Sequence, residues 1–271
     1  MTGDTGDTGD TGDTGDIGDL GGGGNGVSFP DRIDFPFLTE SDVGNVLFLD
    51  RTSFGDRNWA ADWYSWRALA DFSVMGWQKR IAVPRPDLKI TEEEIKILQT
   101  MARDERPEAL GEILAQASGF MTYFTEILGA TPRGYPATFR VMNIGHLIAA
   151  MVVMYFKGIY DRPRPTQICP GLLPPISVPG HASYPSGHST QAHLLALCAT
   201  DMLPDARQKD MRIVLWRLAN RIARNREIAG LHYPSDTAAG VAFAYWTHYL
   251  LSGAGQTHYQ QTVAAAAGEW Q

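Results

Sequence analysis

Three groups of side chains in the second half of the chain combine cations, histidines and a carboxylate in a pattern suited to an oxyanion. The first is Lys157, separated by six residues from Arg164 and Pro165. Arginine offers a planar fork to a phosphate-like group and lysine a point charge. The second is "SYPSGHST", residues 183–190, where a turn opens a helix. There the Ser186 hydroxyl and the free N–H groups around Gly187 can cradle an anion, and His188 faces the core. The third is "NREIAGLHYPSD", residues 225–236, with Arg226 on the inward face of its helix. His232 stands four residues before Asp236, a carboxylate able to hold the Nδ1 proton and leave Nε2 to react. Each group alone also suits a structural role, as a helix cap, a buried histidine or a dipole-satisfying cation. Together they converge on one tetrahedral or trigonal-bipyramidal oxyanion.

Helices must position these groups. Apolar periodicity predicts helices over 108–128, 136–157, 187–202, 206–228 and 235–252, and Thr91 with Glu94 reads as a capping box. The 136–157 segment is apolar on all sides and therefore central. Gly158, Pro163 and Pro165 end it and turn Arg164 back toward Lys157. Arg217, Arg221 and Arg224 fall on a solvated face, and Arg162 reads as a surface charge before it reads as a helper at the site. Trp59, Trp63, Trp66 and Ala70 recur at helical spacing and predict a packing stripe. The expected class is all-α, a helical domain over 91–271 preceded by an aromatic-rich segment, 27–90, with short strand-like runs in 27–60.

Residues 1–26 differ from the rest. Glycine recurs every third position in "TGDTGDTGDTGDTGDIGDL", with six aspartates. The spacing is collagen-like, yet the tract has no proline and its charges repel, so a disordered acidic tail is favoured over a trimer stalk. These aspartates supply six of the seven excess negative charges, leaving a near-neutral body that argues against nucleic acid. No secretory signal is visible, and no apolar run reaches the length of a bilayer span. The expectation is a soluble protein, of cytoplasmic or undetermined location. Cys169 and Cys198 form no CxxC pair, and a bridge between them stays open.

The order and spacing of the three groups resemble the superfamily of type 2 phosphatidic acid phosphatases, bacterial acid phosphatases and vanadium haloperoxidases. Its pattern, Lys-x6-Arg-Pro, Pro-Ser-Gly-His and Ser-Arg-x5-His-x3-Asp, reads here as Lys157 to Pro165, Pro185 to His188, and Arg226, His232 and Asp236. Asn225 stands where serine is usual. The resemblance, over about 137–252, implies a helical bundle with His232 as phosphate-attacking nucleophile, Asp236 as its orienter and His188 as acid and base. It implies that Lys157, Arg164, Arg226, Ser186 and the Gly187 amide hold the phosphate, with no metal or other cofactor and a small phosphate ester as substrate, lipid or other amphiphilic phosphates staying open. The haloperoxidase members hold vanadate in the same cage on the residue matching His232. The compact 165–185 loop resembles the phosphatases, whereas His181, seven residues before His188, matches a bromoperoxidase feature but reads more simply as an exposed loop residue. Phosphatase therefore ranks first, haloperoxidase second. A non-catalytic assembly protein on a collagen-like stalk is a further alternative.

Overall fold

The computed structural model describes residues 59–86 and 91–271, together with 34, 54 and 55. The acidic repeat, its trimerisation and the strand-like runs before Phe54 lie outside the described residues. Ten helices occur among the described residues, and no strand. They are α1 (Ala61–Ser73), α2 (Thr91–Asp104), α3 (Arg106–Ala115), α4 (Met121–Leu128), α5 (Pro136–Tyr160), α6 (Pro165–Ile168), α7 (Gly187–Asp201), α8 (Asp205–Ile228), α9 (Pro234–Leu251) and α10 (Thr257–Gly268). The expected all-α bundle is what the chain forms.

Helix α7 is its axis. Every residue from Gly187 to Ala199 is buried, and the helix packs on α5, α8 and α9. The close approach of α7 to α9 depends on Gly240. A Cβ there would come within 2.6 Å of the Ser189 Cβ and 3.0 Å of the Ser186 carbonyl oxygen. Helix α5 is buried through most of its length against α1, α7 and α10, although Met154, Tyr155 and Ile159 reach solvent near its C-terminus. Pro136 opens it, and the Glu269 carboxylate accepts from the Ala137 and Thr138 amides, answering donors that no helical carbonyl can reach.

Two expectations need correction. The periodic 108–128 segment is two helices, because Gly119 adopts φ +70° and turns the chain between α3 and α4. The tryptophan stripe of α1 faces outward, with Trp63 62% and Trp66 51% exposed. The packed face carries Tyr64, Ala68 and Phe72 instead. The capping box expected at Thr91 lies outside the described residues; the Glu94 carboxylate accepts from the Ser235 amide and from Arg162, both at 2.7 Å.

Candidate active site

The three sequence groups meet where the C-terminus of α5 approaches the N-termini of α7 and α9. Lys157 lies in the last turn of α5, and Arg164 follows the turn that Asp161 closes in a left-handed conformation, φ 45°. Ser186 caps α7, its hydroxyl accepting from the Ser189 amide at 3.3 Å. Its own amide donates to the Asp236 carbonyl at 3.1 Å, tying the first turn of α7 to that of α9. Lys157, Arg164, His188, Arg226, His232 and Asp236 are all between 0 and 2% exposed. Burying so many ionisable groups is costly unless each meets a polar partner.

His232 is held at both ring nitrogens. Nδ1 lies 3.1 Å from Asp236 Oδ2, and a carboxylate can only accept, so Nδ1 carries the proton. Nε2 lies 3.5 Å from Arg164 Nη1. Asp236 Oδ2 also accepts from the Ser183 hydroxyl at 2.5 Å and from the Tyr233 amide at 3.1 Å. Burial alone would raise the Asp236 carboxyl. The hydrogen bond and charge of His232, then Arg162 and Ser183, outweigh it and hold Asp236 below its ordinary value.

The cations are arranged around this pair. Lys157 Nζ donates to the Ala182 and Ser183 carbonyls at 2.7 and 3.0 Å. Arg164 Nε donates to the His181 carbonyl at 2.9 Å, and Nη1 to the Leu231 carbonyl at 3.1 Å. Arg226 donates to the Ile113 carbonyl at 2.8 Å, and its own carbonyl accepts from the Leu231 amide at 3.0 Å. Across the site, the Gln116 carbonyl lies 3.0 Å from His188 Nε2, which places the proton of the neutral ring there. Asn225, at the position where serine is usual, donates to Gln116 Oε1 and Glu112 Oε2. It thereby braces the residue that holds His188, and Phe120 packs its ring 4.9 Å from that histidine.

Two residues sit differently from their sequence reading. Arg162 is 2% exposed, its guanidinium bonded to Asp236, Ser235 and Glu94, so it is no surface charge. His181 is half-buried with Nδ1 3.2 Å from Arg164 Nη2, at the cage rather than in an exposed loop. Gln116 and Phe120 carried no motif signal, since each acts through the fold and not through spacing. A cavity of about 550 Å³ opens over Arg162, Arg164, Gln167, Val178 and His181. Val178 and Pro179 add apolar surface to this otherwise polar mouth, and Ile168 and Leu173 are exposed on the same connecting segment.

Residues 141–259, which carry most of this site, match the family model of the PAP2 superfamily. Over this stretch the chain is similar to that superfamily. Among PAP2-like proteins, it is 30% identical over 102 residues to the decaprenylphosphoryl-5-phosphoribose phosphatase of Mycobacterium tuberculosis, covering 38% of this chain and 52% of that one. It is 36% identical over 74 residues to the lipid A 1-phosphatase of Rhizobium etli, covering 26% of this chain and 30% of that one. The chain thus spans about half the length of the first relative and less of the second. A transmembrane PAP2-type phosphatidylglycerolphosphate phosphatase from Bacillus subtilis aligns with TM-score 0.36 and 16% identity, over 72% of this chain and 94% of that one.

These findings correct two expectations. The relatives are named for lipid-linked substrates, so a small soluble ester no longer stands as the substrate. A segment long and apolar enough to cross a bilayer does exist: Pro136–Ile168 holds an 18-residue window of mean hydropathy 1.5, 78% of which is buried in the bundle. Its charges lie toward its two ends, Arg140 near one and Lys157, Asp161, Arg162 and Arg164 near the other, so counting only an unbroken apolar run understated it.

Proposed function

We propose that this protein is a phosphatase that removes phosphate from a lipid-linked phosphate monoester at a membrane, through a phosphohistidine on His232. The observation that carries this reading is the His232 imidazole held between Asp236 at Nδ1 and Arg164 at Nε2. With Nδ1 protonated, the Nε2 lone pair attacks phosphorus and the ester P–O bond breaks. His188, entering this step as the imidazolium, keeps its Nε2 proton on Gln116 and gives its Nδ1 proton to the departing alkoxide. His188 then takes a proton from water, the resulting hydroxide attacks phosphorus, and the P–N bond breaks to free phosphate and His232. Lys157, Arg164 and Arg226, with the Ser186 hydroxyl and Gly187 amide, stabilise the equatorial oxygens, a charge load that in other phosphatases falls to metal ions. The exposed Ile168, Leu173 and Val178 suit the apolar part of an amphiphilic substrate.

A second reading is favoured by one observation, the contact of His181 with Arg164. In a vanadate-dependent haloperoxidase the same residues would hold vanadate, with His232 as its protein ligand, and the vanadate would supply peroxide activation. Lys157, Arg164 and Arg226 fit vanadate as they fit phosphate, because both are tetrahedral oxyanions.

Two assays on one preparation decide. Phosphate release from phosphatidic acid in detergent micelles, abolished by His232→Ala and inhibited by vanadate, is the expected result. Bromination with peroxide and vanadate, without hydrolysis, would install the second reading in its place.

A further inference from the structure

Arg162 carries a contact pattern that the phosphate cage does not need. Its Nη1 donates to Asp236 Oδ1 and to the Ser235 hydroxyl, both at 2.7 Å, and its Nη2 to Glu94 Oε2 at 2.7 Å. The guanidinium carbon sits 3.9 Å from the centre of the Tyr233 ring. All three charged partners are buried, Arg162 at 2%, Glu94 at 3% and Asp236 at 0% exposure. A buried arginine bonded to two carboxylates is costly to assemble and strongly destabilising to break. Such an arrangement, placed directly behind a reactive imidazole, has a use there.

The two oxygens of Asp236 divide the work. Oδ2 faces His232, Ser183 and the Tyr233 amide, whereas Oδ1 is given to Arg162. Glu94 grips Arg162 through Oε2 and, through Oε1, the Ser235 amide in the first turn of α9. Helix α2 therefore holds the arginine and the turn that presents Asp236 with a single carboxylate. We propose that Arg162, anchored by Glu94, is a positioning residue that fixes the rotamer and charge of Asp236 and, through it, the nucleophilic state of His232. The inference rests on the reading of His232 as nucleophile. It extends the site from the three sequence groups to α2, 68 residues from Arg162.

The groups facing this pair come from every neighbouring element. His232 precedes α9, Ser183 precedes α7, Arg162 follows α5, and Glu94 belongs to α2. Glu227 of α8 lies within electrostatic reach of both His232 and Asp236. Tyr184 and Tyr233 stay protonated, burial pushing both up to about 12. Removing Arg162 takes a cation away from the pair and favours its protonated state. Removing the Glu94 charge leaves Arg162 less compensated and favours the deprotonated state. The two changes therefore displace the acid limb of activity in opposite directions, which a role in packing alone would not do. The displaced midpoint belongs to the coupled pair rather than to one residue.

The test uses full-length protein carrying Arg162→Met, Arg162→Lys or Glu94→Gln, assayed across pH for phosphate release from phosphatidic acid micelles. In Arg162→Met, kcat is expected to fall about ten- to a hundredfold with KM changed by less than about threefold. Its acid limb is expected to rise by roughly one pH unit, and that of Glu94→Gln to fall by a similar amount. Arg162→Lys should restore most of the limb position, since the charge survives although the fork does not. Limbs that stay in place, or move together, overturn the proposal. If Arg162→Met does not fold, Glu94→Gln decides alone, and its limb must move down. Failure of the parent reading looks different: His232→Ala is then as active as the wild type, or the wild type releases no phosphate. NMR titration of the His232 ring then replaces the activity limb, and the same opposite displacements are required without turnover.

Discussion

Arg162 and Arg164 stand two residues apart in one loop, and both are buried, yet they address opposite ends of one imidazole. Arg162 reaches the Nδ1 side of His232 through Asp236 and shares its charge with Glu94. Arg164 lies beside Nε2, where a phosphate would be bound. The residue type is the same, and the partner decides the role. An arginine committed to two carboxylates adjusts the acidity and orientation of its neighbours, whereas one beside the reactive nitrogen is placed to meet the substrate itself.

This contrast orders the expected effects. His232→Ala removes the atom that both arginines serve, and should lower phosphate release by about a thousandfold or more. Arg164→Ala should cost about a hundredfold in kcat/KM and raise KM as well, because it loses contact with the phosphate oxygens. If it instead moved only the pH limb, the two arginines would not be distinct. Gly240→Ala tests the frame rather than the chemistry. Its Cβ would meet Ser189 at 2.6 Å, and separating α7 from α9 should destabilise the protein by about 1–3 kcal/mol, read as a lower Tm. Acid unfolding offers a finer test. The Asp236 carboxyl is depressed in the folded state, so its stabilisation is full above the ordinary carboxylate range and is lost as pH falls through the folded value. Asp236→Asn should flatten that acid dependence. The smallest effect is expected at the mouth, where Val178→Ser should raise KM for micellar substrate by about threefold and leave kcat unchanged.

Much of the cage could be read from residue order, because Lys157, Arg164, His188, Arg226, His232 and Asp236 occur at spacings that helix ends and turns translate directly into position. Helices α5, α7, α8 and α9 were legible for a related reason: each has a continuous apolar face and a proline or glycine near its end. The α3–α4 break was not, since apolar periodicity runs on through residues 116–120 and only the positive φ of Gly119 divides it. Periodicity also identifies a face without saying which way it points. Both faces of α1 are apolar, and the one bearing Tyr64 and Phe72 packs while the tryptophans look outward. The partners Glu94, Gln116 and Phe120 lie far in sequence from the residues they touch, and only the packing of α2, α3 and α4 against the site brings them there.

The missing side chain at Gly240 has a further reach. It lets two helices, each beginning beside one of the two histidines, behave as a single solid block. Their separation is thereby insulated from change elsewhere. The exposed side chains of Ile168, Leu173 and Val178 lie off this block, so they can vary while the arrangement around His188 and His232 stays as it is.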